Sequence, residues 1–193
     1  MKKQTLFLCL WALVLTGCKK KPAEQMETPE PTPQVTIVPD STLWGHLGED
    51  TGMSALQFIT DQGDTMEIYR TSPYSGEDGK LVGEVRNYTD RFALTLCEDN
   101  GTLLTAINAT QLAQHWQTAE GTIQLRTNGT IESQGLPYNG WKLWNGHLLF
   151  ATEVRQEYGI STRIDTMDII TLDDDSLIVR NPINQTIAFS RKP

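Results

Sequence analysis

From residue 41 onward, runs of apolar or alternating residues recur at intervals of about 8 to 12 residues, separated by turn residues. Six of these runs occupy the first part of this region: Leu43–Leu47, Met53–Thr60, Thr65–Thr71, Leu81–Arg86, Phe92–Cys97 and Leu103–Asn108. Three more lie near the end of the chain: Arg163–Leu172, Leu177–Arg180 and Thr186–Phe189. Short strands at this spacing are typical of an antiparallel sandwich or barrel, so the pattern predicts an all-β body.

One interruption lies near the middle of this body. Four apolar residues follow each other at helical spacing: Ala109, Leu112, Ala113 and Trp116. Asn108 and Gln111 have the spacing of a capping box. We therefore predict one short helix, or a helical turn, between about 109 and 117, which divides the body into an N-terminal β unit over 40–108 and a second β unit over 109–193.

The strongest hairpin signal is Asn145-Gly146 between two apolar runs. A two-residue loop at this position pairs Trp144 with His147 and Trp141 with Phe150, which sorts the side chains onto two faces. The first face, predicted to be core, contains Trp141, Leu143, Leu148 and Phe150. The second face is mixed, predicted to meet solvent or a ligand, and contains Lys142, Trp144, His147 and Leu149.

Two further Asn-Gly pairs predict turns. At Asn100-Gly101, the expected register places four apolar residues on one face: Leu94, Leu96, Leu103 and Ile107. At Asn128-Gly129, a three-residue loop that pairs Leu125 with Ile131 fits the pattern better than a two-residue loop.

The first residues of the chain resemble a bacterial lipoprotein signal. Lys2 and Lys3 precede an apolar run, which ends in the lipobox-like sequence Leu15-Thr16-Gly17-Cys18. The run has about ten apolar residues, half of the roughly 20 that a membrane-spanning helix needs. We predict a signal peptide over 1–17 and lipidation of Cys18 by acyl chains such as palmitate.

Residues 18–39 are predicted to be a lipidated, Pro-rich tether, because prolines recur among Glu, Thr and Gln after three lysines. The lysines could contact anionic lipid headgroups, or the segment could be a plain solvated spacer. No Asp follows Cys18, which favours the outer membrane, and no acidic run of the kind associated with surface export follows either. We therefore expect an outer-membrane lipoprotein of the cell envelope that faces the periplasm.

The charge of the chain argues against nucleic-acid binding. The formal net charge is −8, and removal of Lys2 and Lys3 with the signal peptide changes it to −10. No basic stripe interrupts this acidic body, so phosphate backbones would be repelled.

Signals of catalysis and of metal binding are weak. The three histidines lack zinc-site spacing, and no nucleophile elbow or phosphate-binding glycine loop occurs. Asp173-Asp174-Asp175 is expected to be a solvated turn rather than a cation site. Cys97 is expected to be a small apolar filler in a strand. The sequence thus predicts neither an enzyme nor a cofactor nor a metal.

Several segments together resemble the lipocalin-like lipoproteins of Bacteroidota, over about residues 110–192. Leu112 to Trp116 is similar to the opening Leu-x-Gly-x-Trp strand of that family, although Gln114-His115-Trp116 lacks its glycine. Three segments of this chain resemble the meander of that family: Thr122-Ile123-Gln124-Leu125, Asn128-Gly129-Thr130 and Trp141 to Leu148. Two later segments resemble its late strands: Asp168-Ile169-Ile170 and Asp175 to Val179. The resemblance implies an antiparallel lipocalin-like meander or barrel, preceded by a smaller β unit.

The resemblance also implies a function, with alternatives. The first is a membrane-anchored module that binds a small apolar or amphipathic ligand. The second is a non-catalytic structural or interaction lipoprotein that acts through its surface, and the third is an enzyme acting on an envelope glycan or lipid. If the barrel is hollow, we expect Trp144 and His147 to bind the ligand, because hairpin tips form barrel mouths. The competing arrangement places both residues outside, in a solvated or partner-binding patch.

Four Asp-Ser/Thr tripeptides resemble the O-glycosylation sites of exported Bacteroidota proteins. Ser41 and Ser176 lie beside predicted loops, and we predict these two as the glycosylated positions.

Overall fold

A computed structural model describes residues 38–99 and 101–192 of the chain. The predicted signal peptide, Cys18, all but the last two residues of the predicted tether, and Asn100 lie outside the described residues. Strands precede and follow one four-residue helix, α1 (Ala109–Leu112). The strands before it are β1 (Leu43–Leu47), β2 (Ala55–Thr60), β3 (Thr65–Tyr69), β4 (Lys80–Val82), β5 (Arg91–Leu96) and β6 (Leu103–Asn108). The strands after it are β7 (His115–Gln117), β8 (Thr122–Leu125), β9 (Ile131–Gln134), β10 (Gly140–Trp144), β11 (His147–Gln156), β12 (Gly159–Leu172), β13 (Ser176–Arg180) and β14 (Thr186–Arg191).

The first six strands form one sheet in the order β3-β2-β1-β5-β6-β4. Neighbours are antiparallel except β4 and β6, which are parallel. The Tyr69 amide at the end of β3 donates to the Gly101 carbonyl at 2.9 Å, next to an isolated bridge between Tyr69 and Thr102. The two ends of the sheet therefore approach each other and enclose a small interior.

The last eight strands form an antiparallel sheet in the order β10-β11-β12-β13-β14-β7-β8-β9. Its end strands meet through an isolated bridge between Thr130 and Gly140. The Trp141 amide also donates to the Gly129 carbonyl at 2.9 Å. The sheet is a nearly closed barrel, and the all-β prediction is confirmed.

Two clusters of buried apolar side chains hold the strands together. The first, which we call the N-terminal core, fills the six-stranded sheet with Leu47, Leu56, Phe58, Ile68, Phe92, Leu94, Leu103 and Ala106. The second, which we call the barrel core, contains the inward side chains of the barrel: Trp116, Ile123, Leu125, Tyr138, Trp141, Leu143, Leu148, Phe150, Met167, Ile169, Leu177, Val179 and Phe189. It also includes Val82, Ala93 and Ile107 from the six-stranded sheet. Strands β4, β5 and β6 thus pack on both faces and join the two sheets.

The β10–β11 hairpin has the predicted register. Trp144 pairs with His147, Leu143 with Leu148, and Trp141 with Phe150. Asn145 has φ 48° and Gly146 has φ 81°, as a type I′ turn requires. All four residues predicted as core are buried. The predicted pairing of Leu125 with Ile131 is also confirmed.

The predicted short helix is confirmed as α1, which ends at Leu112. Two details of the local prediction need correction, and the first concerns Trp116, which lies in β7, where it pairs with Ile123. The Trp116 indole donates to the Leu112 carbonyl at 2.9 Å, so this ring is fixed below the helix end. Asn108 does cap the helix by accepting from the Gln111 amide.

The second correction concerns Ile107. A bulge between Thr95 and Leu96 shifts the β5–β6 register, so that Leu94 faces Ala106 and Ile107 faces Ala93. Ile107 therefore points into the barrel core, opposite to Leu94, since one extra residue turns a strand over.

The β10–β11 turn rests on the N-terminal part of the described chain. Oδ1 of Asn145 accepts from the Ser41 amide at 2.7 Å and from the Ser41 hydroxyl at 2.8 Å. Nδ2 of Asn145 donates to the Pro39 carbonyl at 3.0 Å. A Cβ on Gly146 would lie 3.3 Å from Cβ of Thr105 in β6. The hairpin tip is thus covered by the six-stranded sheet and does not form an open mouth.

Candidate functional site

The outward faces of β10, β11 and β12 carry an unusual set of apolar side chains. The pairings of Leu149 with Thr166 and of Ala151 with Ile164 place these four residues on the same face as Lys142 and Trp144. Ile164 is 51% exposed, although it is β-branched and apolar. Leu149 on the same face is only 8% exposed and Ala151 is half-buried, so Ile164 is the exposed member of this apolar set.

A pocket of about 600 Å³, which we call the outer groove, opens on this face. The floor of the groove is low because Gly140 has no side chain and its cross-strand partner Ala151 has only a methyl group. Larger residues surround this floor, and the lining comprises Gly129, Gly140, Trp141, Lys142, Trp144, Leu149, Ala151, Ile164 and Thr166. The sequence of small residues opposite each other therefore creates the groove.

One cation lies at the rim of the outer groove. Nζ of Lys142 is 3.9 Å from a carboxylate oxygen of Asp40, and both side chains are substantially exposed. An exposed ion pair at this distance is weak, so the ammonium group remains accessible to another anion. The groove thus combines apolar walls with one positive charge.

Trp144 and His147 pair with each other across the hairpin, but they have different surroundings. Trp144 is half-buried and lines the outer groove. Nδ1 of His147 lies 2.8 Å from a carboxylate oxygen of Asp168, and His147 is not among the lining residues. Both residues lie on the outward face, while buried side chains fill the interior. Both residues therefore lie outside the filled interior of the barrel, and ligand binding by Trp144 and His147 stays a prediction.

A second pocket, which we call the barrel mouth, has a volume of about 530 Å³ and lies at the end of the barrel near the β13–β14 turn. Tyr138 stacks on Phe150 with ring centroids 4.5 Å apart, and burial raises the pKa of its phenol, with the negative charge of Asp165 adding to the shift. Arg163 and Asp165 form an ion pair at 3.1 Å on the same lining. The polar groups here make this pocket more hydrophilic than the outer groove.

Thr152 is 6% exposed and pairs with Arg163, a residue of the barrel mouth. Its hydroxyl has no hydrogen-bond partner among the described residues. A hydroxyl buried without a partner costs about 1–3 kcal/mol. Within the described residues, Thr152 is therefore the one buried side chain of the barrel whose polar atom lacks a hydrogen-bond partner.

The two predicted glycosylation sites differ in accessibility. Ser41 is exposed, and its hydroxyl donates to Asn145. Ser176 is half-buried at the start of β13, where its amide donates to Asp173 at 2.7 Å. Modification of either residue stays a prediction.

Other predicted positions carry no site in the described residues. Asp174 of the acidic turn accepts hydrogen bonds from Arg86 and Gln111, so this carboxylate is not free. Cys97 is half-buried, with a free thiol. No group of three His, Cys, Asp or Glu residues suited to a metal occurs within residues 38–99 and 101–192. In the same residues, no helix has the length and apolarity needed to cross a bilayer.

Sequence reasoning missed Ile164, Ala151 and Thr152. Extension of the Asn145-Gly146 register along β11 would have placed Ala151 on the groove face. The position of Ile164 could not be predicted in this way, because the loop Glu157-Tyr158 between β11 and β12 lacks an Asn-Gly pair that would fix the register.

Comparison with known proteins finds a family match in the C-terminal part of the chain. Residues 108–192 match the family described as Lipocalin-like. A solved structure of a lipocalin-like protein from Bacteroides thetaiotaomicron is 21% identical, with 42% of this chain and 97% of that chain covered and a TM-score of 0.36. No curated protein matches the chain. The resemblance noted in the sequence is confirmed: residues 108–192 of this chain form a lipocalin-like β-barrel.

Proposed function

We propose that this protein is a membrane-anchored envelope lipoprotein whose lipocalin-like barrel binds a small amphipathic molecule in the outer groove. The observation that carries the proposal is the groove itself, in which half-buried Trp144 and half-exposed Ile164 line the same pocket as the small Gly140–Ala151 pair. Apolar pockets with a few polar groups are the common form of small-ligand sites.

The lining indicates the chemistry of the ligand. Trp144, Leu149 and Ile164 provide an apolar surface for a ring system or an acyl chain. Lys142 at the rim provides a partner for a carboxylate or another anionic group, in competition with Asp40. An amphipathic anion, such as a fatty acid, satisfies both features.

The packed interior supports a surface site over a deep one. Trp116, Leu148 and Phe150 are fully buried in the barrel core, so a ligand would bind outside this core or at its mouth. Binding is favoured over catalysis because the groove lining contains one titratable residue, Lys142, and no nucleophile paired with a base.

Anchoring through Cys18 is the second part of the proposal. Acylation at this position would hold the barrel at the outer membrane, with the periplasm-facing side preferred, and would bring it close to lipids and their breakdown products. Cys18→Ala should abolish incorporation of labelled palmitate in a bacterial host. Continued labelling of the variant would refute the anchor.

Tryptophan fluorescence tests the groove. Titration with a fatty acid should shift or quench the emission of the full-length protein, and Trp144→Phe should remove much of this response with little loss of stability. Ala151→Leu should fill the floor and abolish saturable binding, because the new side chain occupies the space of the ligand. Thr162→Leu is the matched control, since it adds the same side chain to the same strand pair outside the groove lining.

The outcome distinguishes three hypotheses: binding in the outer groove, binding at the barrel mouth, and an interaction protein without a small ligand. Binding that survives Ala151→Leu but is lost in Ile183→Ala, an exposed residue of the mouth, would move the site to the mouth. A panel of fatty acids, porphyrins and bile acids without any saturable response would favour the interaction lipoprotein that acts through its surface. Native mass spectrometry of protein purified from its host membrane would identify a co-purified molecule.

A further inference from the structure

The β11–β12 hairpin extends beyond its neighbours. β10 pairs with β11 only as far as Ala151, whereas β11 continues to Gln156. No strand among the described residues pairs with the outer edge of β11 from Thr152 to Gln156. We call this five-residue segment the free edge; Glu153, Arg155 and Gln156 in it are exposed, Val154 is half-buried and Thr152 is buried.

The hydrogen-bonding direction of the free edge follows from the hairpin geometry. Gln156 and Gly159 flank a two-residue loop, so Gln156, Val154 and Thr152 direct their main-chain groups towards β12. Ala151 directs its carbonyl the other way, where it accepts from the Asn139 amide at 3.0 Å. By alternation, Glu153 and Arg155 direct their N–H and C=O groups away from β12, towards the unpaired side of β11.

We propose that the free edge pairs with the same edge of a second copy of this chain, in an antiparallel arrangement centred on Val154. Val154 is the middle of the free edge, so this register covers all five residues of both copies. Glu153 of one copy then lies opposite Arg155 of the other, and the two residues exchange main-chain hydrogen bonds. The same contact occurs twice because the two-fold axis passes between the two Val154 residues.

Charge complementarity selects this register. Among the symmetric registers that these main-chain directions allow, those centred on residues 153, 154 or 155 overlap most of the free edge. The first places Glu153 opposite Glu153, and the third places Arg155 opposite Arg155 and Glu153 opposite Glu157. Like charges directly opposite each other destabilise a strand pair, whereas opposite charges stabilise it. The register centred on Val154 has only opposite charges across its exposed face.

The two charged residues are available for this contact. Both side chains are exposed. Neither forms an ion pair within the part of the chain that the structure describes. Their partners within the hairpin are uncharged, since Glu153 faces Thr162 and Arg155 faces Ile160. The paired hairpins would form a continuous sheet across two copies, independently of ligand binding in the outer groove.

Disulfide trapping in the full-length, membrane-bound protein tests the proposal. A non-hydrogen-bonded antiparallel pair has Cα atoms about 4.5 Å apart, within the range for a disulfide. In a Cys97→Ser background, Val154→Cys should form a covalent dimer on mild oxidation, at least about tenfold faster than the matched control Thr162→Cys on the other strand of the hairpin. Equal rates for the two variants would overturn the proposal.

Charge reversal makes the test specific for the register. In the Val154→Cys protein, Glu153→Arg or Arg155→Glu should slow trapping at least about tenfold, because each places like charges opposite each other twice. The combination of both reversals restores opposite charges and should restore trapping. Failure of the combination to recover, or single reversals without effect, would exclude this interface.

Discussion

The N-terminal core and the barrel core differ in where their residues come from. The N-terminal core contains only residues that precede α1, so the six-stranded sheet fills its own interior. The barrel core takes Val82, Ala93 and Ile107 from that same sheet, in addition to the residues of the barrel. The six-stranded sheet therefore contributes side chains to both cores, whereas the barrel contributes side chains to the barrel core alone.

This difference shows that a family boundary need not be a boundary of packing. The Lipocalin-like match begins at residue 108, one residue after Ile107, which is 1% exposed in the barrel core. The six-stranded sheet covers one part of the barrel, and two contacts connect the sheet to the barrel there. Lys80 donates a hydrogen bond to the Ile169 carbonyl, and Gly146 lies against Thr105. The division at 40–108 and 109–193 stays a prediction about domains, and stability measurements test it.

The largest expected effect comes from separation of the two cores. A chain that begins at residue 108 lacks Val82, Ala93 and Ile107, and its barrel core would be exposed to water on that side. We expect this fragment to lose cooperative unfolding and to bind a hydrophobic dye. A fragment that unfolds in one sharp thermal transition near that of the full chain would show that the barrel core is self-sufficient.

Large aromatic residues, one in each core, provide the next test. Trp141→Ala in the barrel core and Phe58→Ala in the N-terminal core should each lower the free energy of unfolding by about 3–5 kcal/mol. Since the cores share strands, each variant should shift one common transition in chemical denaturation. Two separated transitions would mean that the cores unfold independently, and a loss below about 1 kcal/mol for Trp141→Ala would contradict its place in the core.

Ile107→Ala and Leu94→Ala compare the two faces of the shared sheet. Both side chains are buried, so each truncation should cost about 2–5 kcal/mol. Hydrogen exchange should distinguish them: Ile107→Ala should increase exchange in β10–β13, and Leu94→Ala should increase it in β1–β3. The same exchange pattern in both variants would mean that the faces do not report on separate cores.

The smallest expected effect concerns a surface link between the two sheets. Hydrogen bonding and charge from Arg86 hold the pKa of Asp174 below its usual range. A carboxyl with a lowered pKa stabilises the fold above its unfolded pKa of about 4, and this contribution disappears as the pH falls through the folded pKa. Both side chains are over two-fifths exposed, with 44% for Arg86 and 43% for Asp174, so we expect a modest effect.

Asp174→Asn should therefore lower the melting temperature slightly at pH 7, less than either truncation in the shared sheet. The difference from the unmodified protein should vanish in acid, where Asp174 is protonated in both states. A difference that persists unchanged at low pH would assign the effect to packing rather than to charge.

The hairpin at Asn145-Gly146 shows what could be predicted from the sequence. The two positive φ angles select Asn and Gly, and the loop length then fixes which residues face the core. The same reasoning failed for Ile107, because the bulge at Thr95 and Leu96 leaves no mark in the pattern of apolar residues. The type of a local turn can thus be predicted from its residues, whereas a one-residue shift in the register of a strand pair cannot.

The outer groove illustrates a second limit. Trp144 could be singled out from one hairpin, but the opposite wall, Ile164, lies on a strand whose register follows from contacts along all of β11. The position of Trp116 was predicted wrongly for a related reason. Trp116 fits both a helical repeat and a strand, and its pairing with Ile123 places it in β7. Sites assembled from several strands depend on these long-range pairings.

The contacts of Asn145 have a mechanical consequence. Any tension that reaches the described fold through its N-terminal side enters at Val38 and meets the hydrogen bonds of Asn145 with Pro39 and Ser41 before it reaches β1. β1 lies between β2 and β5, so a pull along its axis loads both strand pairs in parallel and their hydrogen bonds must break together. The same number of bonds would yield one by one if the strand were peeled from a sheet edge. The position of β1 therefore makes the N-terminal side of this fold a mechanically resistant point of attachment.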